Sequence, residues 1–227
     1  MRALGLILAL CGAEYAYGKA CKVDAGFRGS RFHVYYEQRH LVTVSHRWKS
    51  LPRSVKSKLK EQLEARLGRQ FAKRLQIDEI QTLDLGKLQR EFPALYDQNR
   101  KLGTYDLLFR FSDRSIGLKY FYTKLFANAD GSVNEQIRLP NIAADLQMAN
   151  LISCEAAVQK GVDEGFPRED TSPDFGYSSE CDCFVWVLTS GKAIAQTSLV
   201  GKGTYKKIDI DANTGRVLRR YTETIII

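Results

Sequence analysis

The longest pattern in the chain is a stripe of apolar residues at every fourth position: Val55, Leu59, Leu63, Leu67, Phe71 and Leu75. This spacing predicts a helix over 53–75, entered through Pro52 with Ser54 as its candidate cap, whose apolar stripe drifts around the axis. Lys56, Lys58, Lys60, Arg66, Arg69, Lys73 and Arg74 cover the rest of the surface, so one side is expected to pack on a sheet. Upstream, 31–37 (RFHVYYE) and 41–48 (LVTVSHRW) are rich in β-branched and aromatic residues, and Gln38-Arg39-His40 predicts a hairpin loop between them. Downstream, 77–88 fits either a strand or a short helix. Strands are then predicted at 105–111, 116–126 and 133–139. Asn128-Ala129-Asp130-Gly131 supplies a tight turn between the last two, because Asp-Gly tolerates positive φ, and Pro140 ends the run.

A second helix is predicted from Ser153, where Cys154, Ala157, Val158, Gly161 and Val162 share one face and Gly165 is a natural stop. The segment 167–180 (PREDTSPDFGYSSE) reads as a polar loop. Strands follow at 183–189, 193–199 and 205–210, and the turn 211–215 leads into a last strand at 216–227. The order is helix then antiparallel strands, twice. The expected class is therefore α+β, with two helix-on-antiparallel-sheet units at 19–148 and 149–227. No strict sequence repeat accompanies them, so any duplication is one of architecture. Consecutive runs of strands disfavour an alternating βαβ arrangement.

The first residues change the picture. Arg2, the apolar run 3–11 (ALGLILALC) and the small-x-small site Ala16-Tyr17-Gly18 before Lys19 read as an export signal over 1–18. A buried N-terminal strand or helix is the alternative; the terminal position and the small residues favour export. A lipidated Cys11 or Cys21 is a weaker variant, because Leu10 stands where a small residue is expected and 18–20 is polar. The expected location is periplasmic or secreted. In all 227 residues no apolar stretch reaches the ~18 that a spanning helix requires, which excludes a multi-pass membrane protein.

Charge is unevenly placed. The whole chain carries +8, but residues 19–100 hold 18 Lys+Arg against 9 Asp+Glu, a net of +9, while 101–227 hold 15 against 16. Much of the excess lies on the helix at 53–75, where Lys56, Lys60, Arg66, Arg69, Lys73 and Arg74 form the candidate partner-binding face. Nucleic acid, anionic lipid and an acidic protein all suit such a face. Export argues against nucleic acid, leaving an acidic protein or the envelope surface. Glu61 and Glu64 interrupt the face and can pair with Lys58 or Lys60.

Candidate chemistry is sparse. Removal of 1–18 leaves Cys21, Cys154, Cys181 and Cys183, an even number that suggests disulfides in an exported chain. Cys181 and Cys183 lie two apart in what reads as a strand, which disfavours a direct bond between them. One is expected to reach Cys154 and the other Cys21. His33, His40 and His46 fall within 14 residues, but the first and last sit in different predicted strands and no HExxH pair accompanies them. A metal site there is the minor reading, and no cofactor is expected. GxSxG elbows and phosphate-cradling loops are absent from the sequence.

The C-terminal third resembles the PepSY type of small secreted domain. The resemblance rests on 153–165 (SCEAAVQKGVDEG) and on 203–221 (GTYKKIDIDANTGRVLRRY), where Tyr205, Asp211, Thr214, Gly215 and Val217 match the family's usual ending. The cysteine-flanked segment 166–182 departs from that pattern. The resemblance implies a cystatin-like α+β module without catalytic residues, of a kind associated with binding or inhibiting proteins. The leading expectation is an exported, non-catalytic binding or inhibitory module. The alternative is an envelope hydrolase or other enzyme with a cleft between the two units.

Overall fold

The computed structural model describes residues 21–26, 32, 36–101, 103–133, 137–191 and 202–226. The export signal, His33 and the strand expected at 193–199 lie outside these. Nine strands and four α-helices are described, in two sheets. The first sheet has the order β1-β5-β4-β3-β2, built from β1 (Val23–Gly26), β2 (Val42–Ser45), β3 (Gln76–Leu83), β4 (Tyr105–Asp113) and β5 (Leu118–Ala127). Its pairs are antiparallel except β1 with β5, which is parallel. The second is fully antiparallel, β6 (Thr171–Ser178), β7 (Cys183–Ser190), β8 (Lys202–Asp211) and β9 (Val217–Ile226) in sequence order. The α+β class holds.

Helix α1 (Arg53–Ala72) forms where the four-residue stripe predicts it, and Val55, Leu59, Leu63, Leu67 and Phe71 are all buried. A spacing of four drifts by about 40° per step against a 3.6-residue turn. The helix is interrupted at Gly68, whose φ of 71° and ψ of 152° are non-helical. That break, between Leu67 and Phe71, re-aims the last turn so that Phe71 still reaches the core. Helix α4 (Cys154–Asp163) is shorter and regular: the Ser153 hydroxyl accepts from the Ala156 amide, and Gly165 at φ 85° ends it.

One apolar cluster runs through both halves of the chain. At its centre Phe71 of α1, Phe111 and Phe121 of the first sheet, and Phe175, Phe184 and Trp186 of the second pack ring against ring, with centroids 4.8–6.3 Å apart. Trp186 is fully buried and donates its indole N–H to the Ile152 carbonyl at 3.2 Å. Strand β6 runs beside β1 at this junction. On the opposite face of the first sheet, α2 (Leu85–Glu91) and α3 (Pro93–Asn99) close a smaller core around Leu41, Leu83, Leu88 and Phe126.

Several expectations are corrected. The hairpin over 31–48 does not form in its described part: 36–41 is a 3-10 turn, and β2 pairs with β3 instead. The ambiguous 77–88 is both, a strand and then a helix capped by Asp84, whose carboxylate accepts from the Lys87 amide. Of the strand expected at 133–139, the described residues 133 and 137–139 show one bridge, between Val133 and Ala127. The polar loop at 167–180 contains β6. Its single buried residue is Phe175, and Pro173, which has no amide hydrogen, is tolerated because β6 is an edge of the hydrogen-bonded sheet.

Candidate binding face on helix α1

The six basic residues singled out on α1 meet different fates. Arg66 points into the protein, where its Nε donates to the Leu139 carbonyl at 2.8 Å and its guanidinium bonds the Asp182 carboxylate and, at 3.4 Å, the Tyr177 hydroxyl. Arg74 pairs with Asp113 at 2.6 Å and lies over the Phe71 and Phe111 rings. Lys60 stands 3.8 Å from Glu64, the i,i+4 pairing anticipated for this helix. Lys58 instead binds Asp130 in the β5 turn, and together with Ser132 it holds that carboxyl well below the ordinary range. Lys56, Arg69 and Lys73 form no ion pair among the described residues. The cations that remain available to a partner are therefore these three, with Lys60 partly neutralised.

An apolar groove of about 260 Å³ is lined by Trp48, Leu63, Leu75, Ile77 and Phe109 together with Lys60, Glu64 and Lys73, so that, of Lys56, Arg69 and Lys73, Lys73 is the one that borders it. Trp48 arrives from a 3-10 turn (Trp48–Ser50) and meets Phe109 edge to face at 6.2 Å. A groove of this composition offers contact area and charge, and its acid–base groups are the Lys60–Glu64 pair, 3.8 Å apart, and Lys73. A larger hollow of about 500 Å³ opens near Thr43, Thr82 and Thr104. Its single ionisable lining residue, Asp84, is committed to capping α2.

The histidines are dispersed. His40 lies 3.6 Å from Glu91, the His46 Nδ1 is 2.7 Å from the Asp78 carbonyl oxygen, and His33 is outside the described residues. Among the described residues no group of three His, Cys, Asp or Glu side chains is arranged to hold a metal ion.

The cysteines pair differently from expectation, as Cys21–Cys154 and Cys181–Cys183. The reason is local. Cys181 belongs to the turn between β6 and β7, not to a strand, and Asp182 has a φ of 52°. That left-handed residue, the one non-glycine of positive φ among the described residues, folds the chain so that the Cys181 and Cys183 Cα atoms lie 5.3 Å apart. Asp182 is also the carboxylate that binds Arg66, and it accepts from the Tyr177 hydroxyl at 2.7 Å. Burial first, and then Asp182, push the Tyr177 hydroxyl up to about 12.

The sequence reading did not anticipate a charged network on the second sheet. Asp209 of β8 is buried and bonds Arg219 and, at 3.3 Å, the Tyr221 hydroxyl, while Lys207 pairs with Glu223. Burial and the nearby Asp209 raise the Tyr221 hydroxyl, and the Glu223 bond raises Lys207. The alternation of β8 placed these residues on one face, but their register against β9 is not legible in either strand alone.

The chain matches no family model, no curated protein and no solved structure. Its class is defined by its own geometry: an α+β protein with two sheets, two cysteine pairs at bonding distance and, among the described residues, no helix long and apolar enough to cross a membrane.

Proposed function

We propose that this chain is an exported, non-catalytic binding or inhibitory module, acting in the periplasm or outside the cell. It engages an acidic protein partner through Lys56, Arg69 and Lys73, which form no ion pair among the described residues, and through the apolar groove that Lys73 borders. The observation that carries the reading is Lys73, which forms no ion pair among the described residues, at a groove lined by Trp48, Leu63, Leu75, Ile77 and Phe109, with Lys56 and Arg69 as further cations of this kind on α1. Cations at a rim steer an acidic partner, and aromatic and aliphatic anchors supply most of the affinity. A helix followed by an antiparallel sheet, with the Asp211 carboxylate capping the amides of Asn213 and Thr214 in the β8–β9 turn, supports the PepSY-like reading of the C-terminal unit. The cysteine pairs support export, since such bonds persist in oxidising compartments.

The test is capture from an envelope fraction at low and high salt, comparing the wild-type chain with the triple variant Lys56→Glu, Arg69→Glu, Lys73→Glu. The expected result is a protein retained by the wild type at low salt, with at least about tenfold less on the variant. Equal retention by both, or none by either, refutes the reading. Retention of anionic phosphatidylglycerol vesicles in place of a protein moves the assignment to the envelope surface.

A further inference from the structure

We propose that the Cys181–Cys183 bond is a thiol–disulfide exchange site that takes an accessible dithiol as its reaction partner, whereas Cys21–Cys154 is a permanent cross-link. The two bonds differ in the length of chain they close and in the backbone they enclose, while in each one cysteine is half-buried (Cys21, Cys181) and the other buried (Cys154, Cys183). Cys21 and Cys154 are 133 residues apart, and Cys154 is fully buried at the start of α4. Closing so long a loop removes much freedom from the unfolded chain, which is how a disulfide stabilises. Cys181 and Cys183 are two residues apart, and closing that ring removes several-fold less. The ring instead encloses Asp182 in a left-handed conformation that side-chain-bearing residues rarely adopt. A bond that contributes less to stability and encloses an unfavourable backbone is the poorer staple. It is well placed to be opened.

The position allows attack. Cys181 is half-buried in the turn between β6 and β7, next to the exposed Ser179 and Glu180, whereas Cys183 is buried as the first residue of β7. A thiolate of the dithiol attacks the Cys181 Sγ. A new S–S bond forms, the Cys181–Cys183 bond breaks, and its electron pair leaves on the Cys183 sulfur, which takes up a proton. The second thiolate of the partner then attacks its own sulfur in the mixed disulfide. The bond to Cys181 breaks, Cys181 leaves as a thiolate, and the partner departs as a disulfide. Two electrons pass from dithiol to protein, and no further oxidant is consumed in that single exchange.

The experiment uses the full chain in graded glutathione buffers, with acid quenching, alkylation and mass spectrometry of each cysteine peptide, and circular dichroism on the same samples. The Cys181–Cys183 pair is expected to reach half reduction at a [GSH]²/[GSSG] ratio at least about tenfold lower than Cys21–Cys154, with the native spectrum intact. With the Cys183→Ser variant, a mixed disulfide with glutathione is expected on Cys181; with Cys181→Ser, several-fold less is expected on Cys183. If both pairs of the wild type resist reduction until the native spectrum is lost, or open together, the proposal is overturned. The wild-type titration decides this even where a variant does not fold.

Discussion

Helices α1 and α4 each lie across an antiparallel stretch of sheet, but they are held there by different means. Helix α1 has 20 residues, enters through Pro52 with no side-chain cap, and is broken at Gly68. Polar fastenings from distant loops hold it. Lys58 binds Asp130, Gln62 donates to the Gly131 carbonyl at 2.9 Å and accepts from the Val133 amide at 3.2 Å, and Arg66 reaches Leu139 and Asp182. Helix α4 has 10 residues, a serine cap and a clean apolar face, and its first residue is bonded to Cys21. Gly161 brings it so near the second sheet that a Cβ there would lie 2.4 Å from Leu188. A helix seated by close approach and a covalent bond needs few charges. One fastened at intervals by polar side chains carries many, and those that find no internal partner are left to solvent.

Four measurements break or sharpen the comparison. The largest effect is expected at the shared aromatic centre. Trp186→Ala should cost about 3–5 kcal/mol, and urea unfolding should remain a single transition that lowers both units together; two separated transitions would show that the helices sit on independent cores. Next come the cysteines. Replacing Cys21 and Cys154 by serine should cost about 2–5 kcal/mol in the same assay, and replacing Cys181 and Cys183 about 1–2 kcal/mol. A reversal of that order would remove the contrast between the two bonds.

Gly131 tests the fastening of α1. It has a φ of 83°, and a Cβ there would meet the Val55 Cα at 2.9 Å, so Gly131→Ala should cost about 1–3 kcal/mol in thermal or urea melts. No loss would mean that the turn does not press on the helix. The smallest effect is at Asp130, whose carboxyl is held low by Lys58 and Ser132. Because its folded value lies below the unfolded one, its contribution is fully present above about pH 4 and fades as the pH falls further. Asp130→Asn should therefore flatten the stability–pH curve below about pH 4 and leave its shape above that unchanged. An unaltered acid limb would contradict the Lys58–Asp130 fastening.

What the sequence made legible divides along the same physical line. Helices α1 and α4 reveal themselves because their buried residues recur at the helical period, and strands β4, β5 and β7 because they are short runs of apolar, β-branched and aromatic residues, as β8 does by its alternation over 207–210. Strand β6 does not, because one buried Phe175 among polar neighbours makes no period. The fates of the α1 cations were hidden for another reason. Arg66 and Arg69 look alike in sequence, yet the partners that bind Arg66 stand 73 and 116 residues away. The cysteine pairing turned on one backbone angle, at Asp182. Periodicity reports which face is buried; it is silent about which distant loop arrives there.

Strand β1 carries a consequence for the timing of folding. Val23–Gly26 pairs in parallel with residues 118–122 of β5, and Cys21 is bonded to a residue 133 positions later. At a synthesis rate of ~5–20 residues per second, about 7–27 s separate the appearance of Cys21 from that of its partner. Until residues 118–122 are made the first strand lacks its β5 neighbour, and through the whole interval its cysteine has no native sulfur to meet. The segment between the two sheets is thus the earliest made and among the last to settle. A newly made chain held before residue 154 should carry Cys21 as a free thiol.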